Sequence, residues 1–208
     1  GGIGGRAAAS EIPRLERLLA DRGEDRTAHV LTIAGLQSKV PPTYRKPACA
    51  AAAALAVLGA TAQRSAPKIA ENLDSFDEEL RVQCACALAG LGKAGAQFED
   101  QVLALVDDPQ PMVVAAACYS LGSMAEATQM PSPTVAGRVA ERLKEKHPAV
   151  RGAAVGSLGK MSGEGAAYAE AIAKCLTDRV SYVRVQAVEA IAGCGEIGQM
   201  YAGEVCRA

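Results

Sequence analysis

The chain of 208 residues is predicted to be all-α, a right-handed α-solenoid of stacked antiparallel helix pairs. Three observations predict it. A short apolar pattern returns along the chain at a near-constant step. Ala supplies much of an apolar fraction of 50%, while aromatics make up only 3% and Trp is absent. Turn formers recur between two apolar stripes within each returning unit. Ala is the strongest helix former, and its small side chain lets helix axes approach closely.

The repeat is clearest in the segments starting at Leu80, Val113, Val150 and Val183, with weaker copies at Asp25 and Pro47. The steps between starts are 22, 33, 33, 37 and 33 residues. Apolar residues at positions one, five, eight or nine, and twelve of each copy share one helical face. Each copy is therefore an amphipathic helix, called B. Before it runs a second stripe: Ile69, Val102, Val139 and Ile172, followed four residues later by Leu73, Val106, Leu143 and Leu176. A four-residue step is helical, and this is helix A. Asp, Ser and Pro lie between A and B, where capping and first-turn positions favour them. A hairpin of A and B cannot bury both stripes alone, so stacking is required.

The irregular steps have their own reading. The 22-residue step leaves no room for a full helix A, and residues 39–46 are expected to bend. The 37-residue step places a loop over residues 128–134. Residues 201–205 echo residues 168–172 at the 33-residue offset, so the chain is expected to stop inside a further helix A. One repeat domain of about six hairpins over residues 11–208 follows, after a flexible segment 1–10.

The pattern V-R-x-x-A-x-x-A-L-x-x-L-G, with Asp in the preceding turn, resembles the HEAT repeat. Its short period resembles the HEAT-like repeats of phycobilisome lyases. Ankyrin repeats share the period, but their Thr-Pro-Leu-His is absent, as is the aromatic pattern of tetratricopeptide repeats. The resemblance implies a ladder between repeats, made by the Arg at position two and the Asp of the turn. Arg26, Arg81, Arg151 and Arg184 match the Arg, and Asp74, Asp107 and Asp178 match the Asp. Ala48 and Val114 depart from the pattern, so the ladder should break there.

Little in the sequence suggests chemistry, and no catalytic residue, metal ligand or cofactor is expected. The pairs Glu78-Glu79 and Asp107-Asp108 sit at turns, where adjacent side chains diverge and capping is the natural role. His29 falls at a core position; His147 precedes Pro148 in a turn. HEAT-like deoxyhypusine hydroxylases carry His-Glu pairs for iron, and neither His here precedes Glu. The glycine-rich start is no phosphate loop, since no Gly-Lys-Ser/Thr follows it. The seven cysteines lack zinc spacing and disulfide spacing, and read as reduced thiols packed as small hydrophobes. They imply a reducing intracellular compartment, cytoplasmic by default, with an organelle reached through a removed transit peptide left open. A net charge of −1 gives no field for nucleic acid. No stretch is long and apolar enough to span a membrane. No small-molecule substrate is expected.

What remains is surface. On helix B the positions opposite the stripe are small and neutral for residues meant to face water. Val82, Cys86, Tyr119, Gly152, Gly156, Gly159, Val185 and Glu189 form the expected partner-binding ridge. The glycines would each cost about 1 kcal/mol in a helix, so they are expected to admit another backbone. The expectation is a non-catalytic protein–protein interaction scaffold, or a subunit of a larger assembly. The alternative from the resemblance is a HEAT-like bilin lyase or a chaperone for a pigment-binding protein.

Overall fold

The computed structural model describes residues 9–21 and 46–207. The copy starting at Asp25, Arg26, His29 and most of the expected bend at 39–46 lie outside the described residues. Where one domain over residues 11–208 is expected, the chain divides into two compact units, Gly1–Gln101 and Val102–Ala208. Among the described residues every regular element is a helix.

In the first unit α1 (Ile12–Leu18) packs on α2 (Pro47–Leu58). A 3-10 segment (Gly59–Ser65) leads to α3 (Ala66–Ala70), then α4 (Glu78–Gly90) and α5 (Lys93–Ala96), and α6 (Glu99–Ala104) starts in this unit and ends in the second. Pro in the first turn starts α1, α2 and α3, where its missing N–H costs nothing. Asp77 caps α4 by accepting the Glu79 N–H at 3.1 Å. From Pro47 to Leu55 every residue of α2 is buried, because α1 and α4 cover it from different sides. Its Ala run is what lets both come close. A Cβ added at Gly90 of α4 would lie 2.9 Å from the Ala56 carbonyl oxygen.

The second unit repeats the hairpin. A 3-10 turn (Leu105–Asp107) leads to α7 (Pro111–Thr128). Then follow α8 (Pro133–Glu141) with its 3-10 turn (Arg142–Lys144), and α9 (Pro148–Lys160). The last are α10 (Ser162–Ala166), α11 (Ala169–Lys174) with its 3-10 turn (Cys175–Thr177), α12 (Ser181–Gly193), α13 (Gly195–Gln199) and α14 (Ala202–Val205). The B helices α7, α9 and α12 lie side by side in that order. Helix A regularly closes with a 3-10 turn, which carries the second stripe residue into the core: Val106, Leu143 and Leu176 are buried. The B stripes are buried as their period predicts. Val113, Ala117, Leu121 and Met124, and then Val150, Ala154, Leu158 and Met161, are 2% exposed or less.

A third recurrent feature escaped the sequence reading. Gly95, Gly165 and Gly198 occupy the same register, where the chain returns from B toward the next A. A Cβ there would fall 1.8, 1.8 and 2.0 Å from the carbonyl oxygens of Leu88, Leu158 and Ile191. Only Gly fits. Thr128 holds this register in the copy at 113. There the chain cannot fold back so tightly: α7 runs on to Thr128, and Gln129 ends it with a left-handed φ of 58°. The four extra residues of the 37-residue step are this overrun.

Candidate functional site

Two surfaces emerge, the A–B turns and the outward faces of the B helices. In the turns the ladder has a definite geometry. Arg151 Nε and Nη2 donate to the two oxygens of Asp178 at 2.7 and 2.9 Å. Arg151 Nη1 donates to the carbonyls of Glu145 and Lys146 at 2.8 and 2.9 Å. Both side chains are nearly buried, at 9% and 12% exposure. The Arg151 fork holds the Asp178 carboxyl below its usual range, and the Asp178 carboxylate raises the guanidinium in turn. Arg81 and Arg184 make the matching turn contact, donating to the carbonyls of Ser75 and Asp178 at 2.7 and 2.9 Å. The position-two Arg thus closes its own turn and, in Arg151, ties it to the next.

The side chain that closes the turn lies one residue later than expected in two turns. Ser75, Asp108 and Asp178 share a register, each side chain accepting the N–H two residues on, from Asp77, Gln110 and Val180. Asp74 and Asp107, the expected ladder residues, precede that register and are exposed. Asp107 is tied instead to Arg138 and Arg142 of the next hairpin. The spacing was misread because Asp-Asp and Asp-Ser offer two candidates, and only the second reaches the N–H that closes the turn. Glu145 takes this register in the turn before α9.

The ridge expected on the B helices needs a larger correction. A B helix inside the stack has a neighbour on each flank, so positions three and ten are covered. A Cβ at Gly152 would meet the Tyr182 ring at 2.3 Å, at Gly156 the Gln186 amide oxygen at 2.4 Å, and at Gly159 the Ala190 Cα at 2.7 Å. A Cβ at Gly122 of α7 would likewise fall 2.6 Å from Ser157 Oγ. The backbone that these glycines admit is therefore the neighbouring helix of this chain. Val82 and Cys86 are half-buried. Among the described residues no B helix follows α12, and there Val185 and Glu189 are exposed.

The exposed ridge that survives is aromatic. Tyr119 on α7 is 52% exposed, and Lys160 of α9 lies 5.2 Å from its ring centroid. Lys160 also pairs with Glu126 at 3.3 Å, which fixes it there. Tyr182 at the start of α12 is again 52% exposed, its ring against Gly152 of α9. Two tyrosines therefore flank the glycine face of α9, with Met112 and Val185 exposed nearby in the same helices. Tyr182 went unnoticed because it precedes the apolar stripe by one residue. Its signal was an aromatic residue in a chain that has few.

The thiols divide sharply. Burial pushes Cys118 up to about 12 and raises Cys175 and Cys194, while Cys206 is exposed. Among the described residues no group of three His, Cys, Asp or Glu side chains is placed to hold a metal ion. His147 is exposed in its turn. No helix of the described residues is long and apolar enough to cross a membrane.

The HEAT repeat family matches over residues 100–127. An engineered protein solved by a structural genomics consortium is similar at 17% identity, with 91% of each chain covered and a TM-score of 0.61. The complex of CpcE and CpcF of phycocyanin lyase from Nostoc sp. PCC7120 is similar at 19% identity, over 79% of this chain and 97% of that one, with a TM-score of 0.58. The Kap95:Nup1 complex is similar at 14% identity and a TM-score of 0.66, over 99% of this chain but 26% of that one. These likenesses are of fold. No curated protein sequence matches the chain.

Proposed function

With an all-α solenoid of HEAT-like repeats as the premise, we propose that this chain is a non-catalytic scaffold that holds a protein partner on the outward faces of its B helices. One observation carries the reading. Tyr119 and Tyr182, both half-exposed, flank the α9 face, and each is held in place, by Lys160 and by Gly152. Tyrosine supplies large contact area at small entropic cost and dominates protein interfaces, whereas a solvated helix face has no use for it. Between them Gly156, half-buried on α9, raises no side chain, so a partner helix can lie across.

Two of the solved structures that resemble this chain, the Kap95:Nup1 and CpcE–CpcF complexes, are themselves protein complexes, which supports the reading at the level of fold. A role in handling a pigment-binding protein is the alternative that the lyase likeness favours. Absorbance of the purified protein separates the two, since a bound bilin absorbs strongly in the visible and a plain scaffold does not. The interface itself is tested by Tyr119→Glu, read against an identified binding partner. We expect affinity to fall at least about tenfold, the cost of losing one interface anchor, with helicity unchanged. Undiminished affinity would sink the proposed face.

A further inference from the structure

We propose that the turn pocket beside Val114 is a vacated ladder socket that binds the guanidinium of a partner's arginine. The chain supplies its own template. In the hairpin of α9 the socket is filled by Arg151, with two carbonyls on one side and Asp178 on the other. One repeat earlier Val114 stands in the position of Arg151, Glu145 in that of Asp178, and Asp108 and Pro109 in those of the two residues whose carbonyls accept from Arg151. The space left is a pocket of about 280 Å³, and Asp108, Pro109, Val114 and Glu145 all line it.

The chain replaces the lost rung only in part. Arg142 reaches Glu145 from a different register, which Leu105 and Cys175 hold in other hairpins. It lends one N–H, from Nη1 to Oε1 at 3.2 Å, where Arg151 gives Asp178 a two-pronged fork. Its other terminal nitrogen turns to Glu141 at 3.3 Å, and its buried Nε has no acceptor among the described residues. Among the described residues the second Glu145 oxygen takes no hydrogen bond, and the carboxylate is 42% exposed. The lining sets the Glu145 carboxylate opposite the turn at Asp108 and Pro109, as Asp178 stands opposite the turn that Arg151 closes. A planar cation with parallel N–H groups complements this wall. An ammonium has the charge but not the fork. An anion has neither.

The proposal is independent of the tyrosine face, since the socket lies in the turns and not on the B-helix surface. The probe is N-acetylargininamide, titrated into the 15N-labelled protein, with N-acetyllysinamide in a parallel titration. We expect saturable shifts at the amides of Val114 and Val150, with the lysine analogue about fivefold weaker. Val114→Arg, which refills the socket from within, should abolish the shifts, and Glu145→Gln should weaken binding about tenfold, with the helical circular dichroism of each variant unchanged. Shifts that never saturate, equal response to the two analogues, or wild-type binding in the folded variants would overturn the proposal. Should Val114→Arg fail to fold, Glu145→Gln alone decides.

Discussion

Replacing Arg151 by Ala removes more than one ion pair. Four hydrogen bonds end on this side chain, two on the Asp178 carboxylate and two on the carbonyls of Glu145 and Lys146. Asp178, nearly buried beside Arg151, keeps the Val180 N–H as a donor at 2.9 Å. Its carboxylate then loses the guanidinium fork that faces it, and the two turn carbonyls lose a cationic donor. Breaking a buried pair from one side costs about 3–5 kcal/mol. The edge position and the surviving Val180 contact place Arg151→Ala near the lower end, at about 3 kcal/mol. Asp178→Asn keeps a neutral acceptor for Val180 and leaves Arg151 its two carbonyls, so about 1.5 kcal/mol is expected. The double variant should lose less than the two singles added, since both remove the same contact. Urea unfolding at pH 7, followed by far-ultraviolet circular dichroism, measures all three. Lys174→Ala is the control: it removes an exposed pair with Glu170 and should change nothing measurable. An Arg151→Ala variant that behaves like Lys174→Ala, or whose loss 1 M salt erases as for a screened surface pair, would show that the rung is not a buried, stabilising pair.

The same rung sets an acid limit. Asp178 has a folded pKa below its unfolded one, so its stabilisation is full above about pH 4 and is lost as pH falls through the lower folded value. Asp178→Asn should flatten the stability profile in that acid range, measured by urea midpoints from pH 6 to pH 2. Gly165→Ala should destabilise by about 1–3 kcal/mol or more, because its Cβ would meet the Leu158 carbonyl oxygen. Gly163→Ala, with open space around it in α10, should instead stabilise by up to about 1 kcal/mol, and thermal melts of the pair give the sign directly. Among the thiols, Cys206 should react with a thiol-specific reagent within the mixing phase, while Cys118, buried and protonated, should react only as the chain unfolds.

The hairpins were legible because burial at a fixed face leaves a period, and Val113, Val150 and Val183 begin their helices' buried stripes as that period requires. The ladder was legible at Arg151 and Asp178, where one Arg and one Asp stood in place. It blurred at Asp74 and Asp107, since a side chain must reach the N–H two residues on and the sequence offers adjacent candidates. The ridge was misread for a different reason. Periodicity separates two faces of a helix, but a helix within a stack has three covered sides. Small residues at Gly152 and Gly159 therefore mark lateral contact with α12, and the same letters would have served for an exposed groove. The vacated socket was visible as Val114 breaking the pattern, but its use depends on Glu145 and Arg142, which no repeat alignment pairs.

A protein partner seated on the tyrosine-flanked face of the B helices would be caught by site-specific photo-cross-linking, with a benzophenone amino acid at position 119 or 185, or at the exposed position 63 of the first unit. One discrete adduct is expected, the same protein from 119 and 185 and none from 63, lost on competition with unlabelled wild-type chain. Adducts of equal yield from all three positions, or none from 119 and 185 with the partner bound, would contradict it.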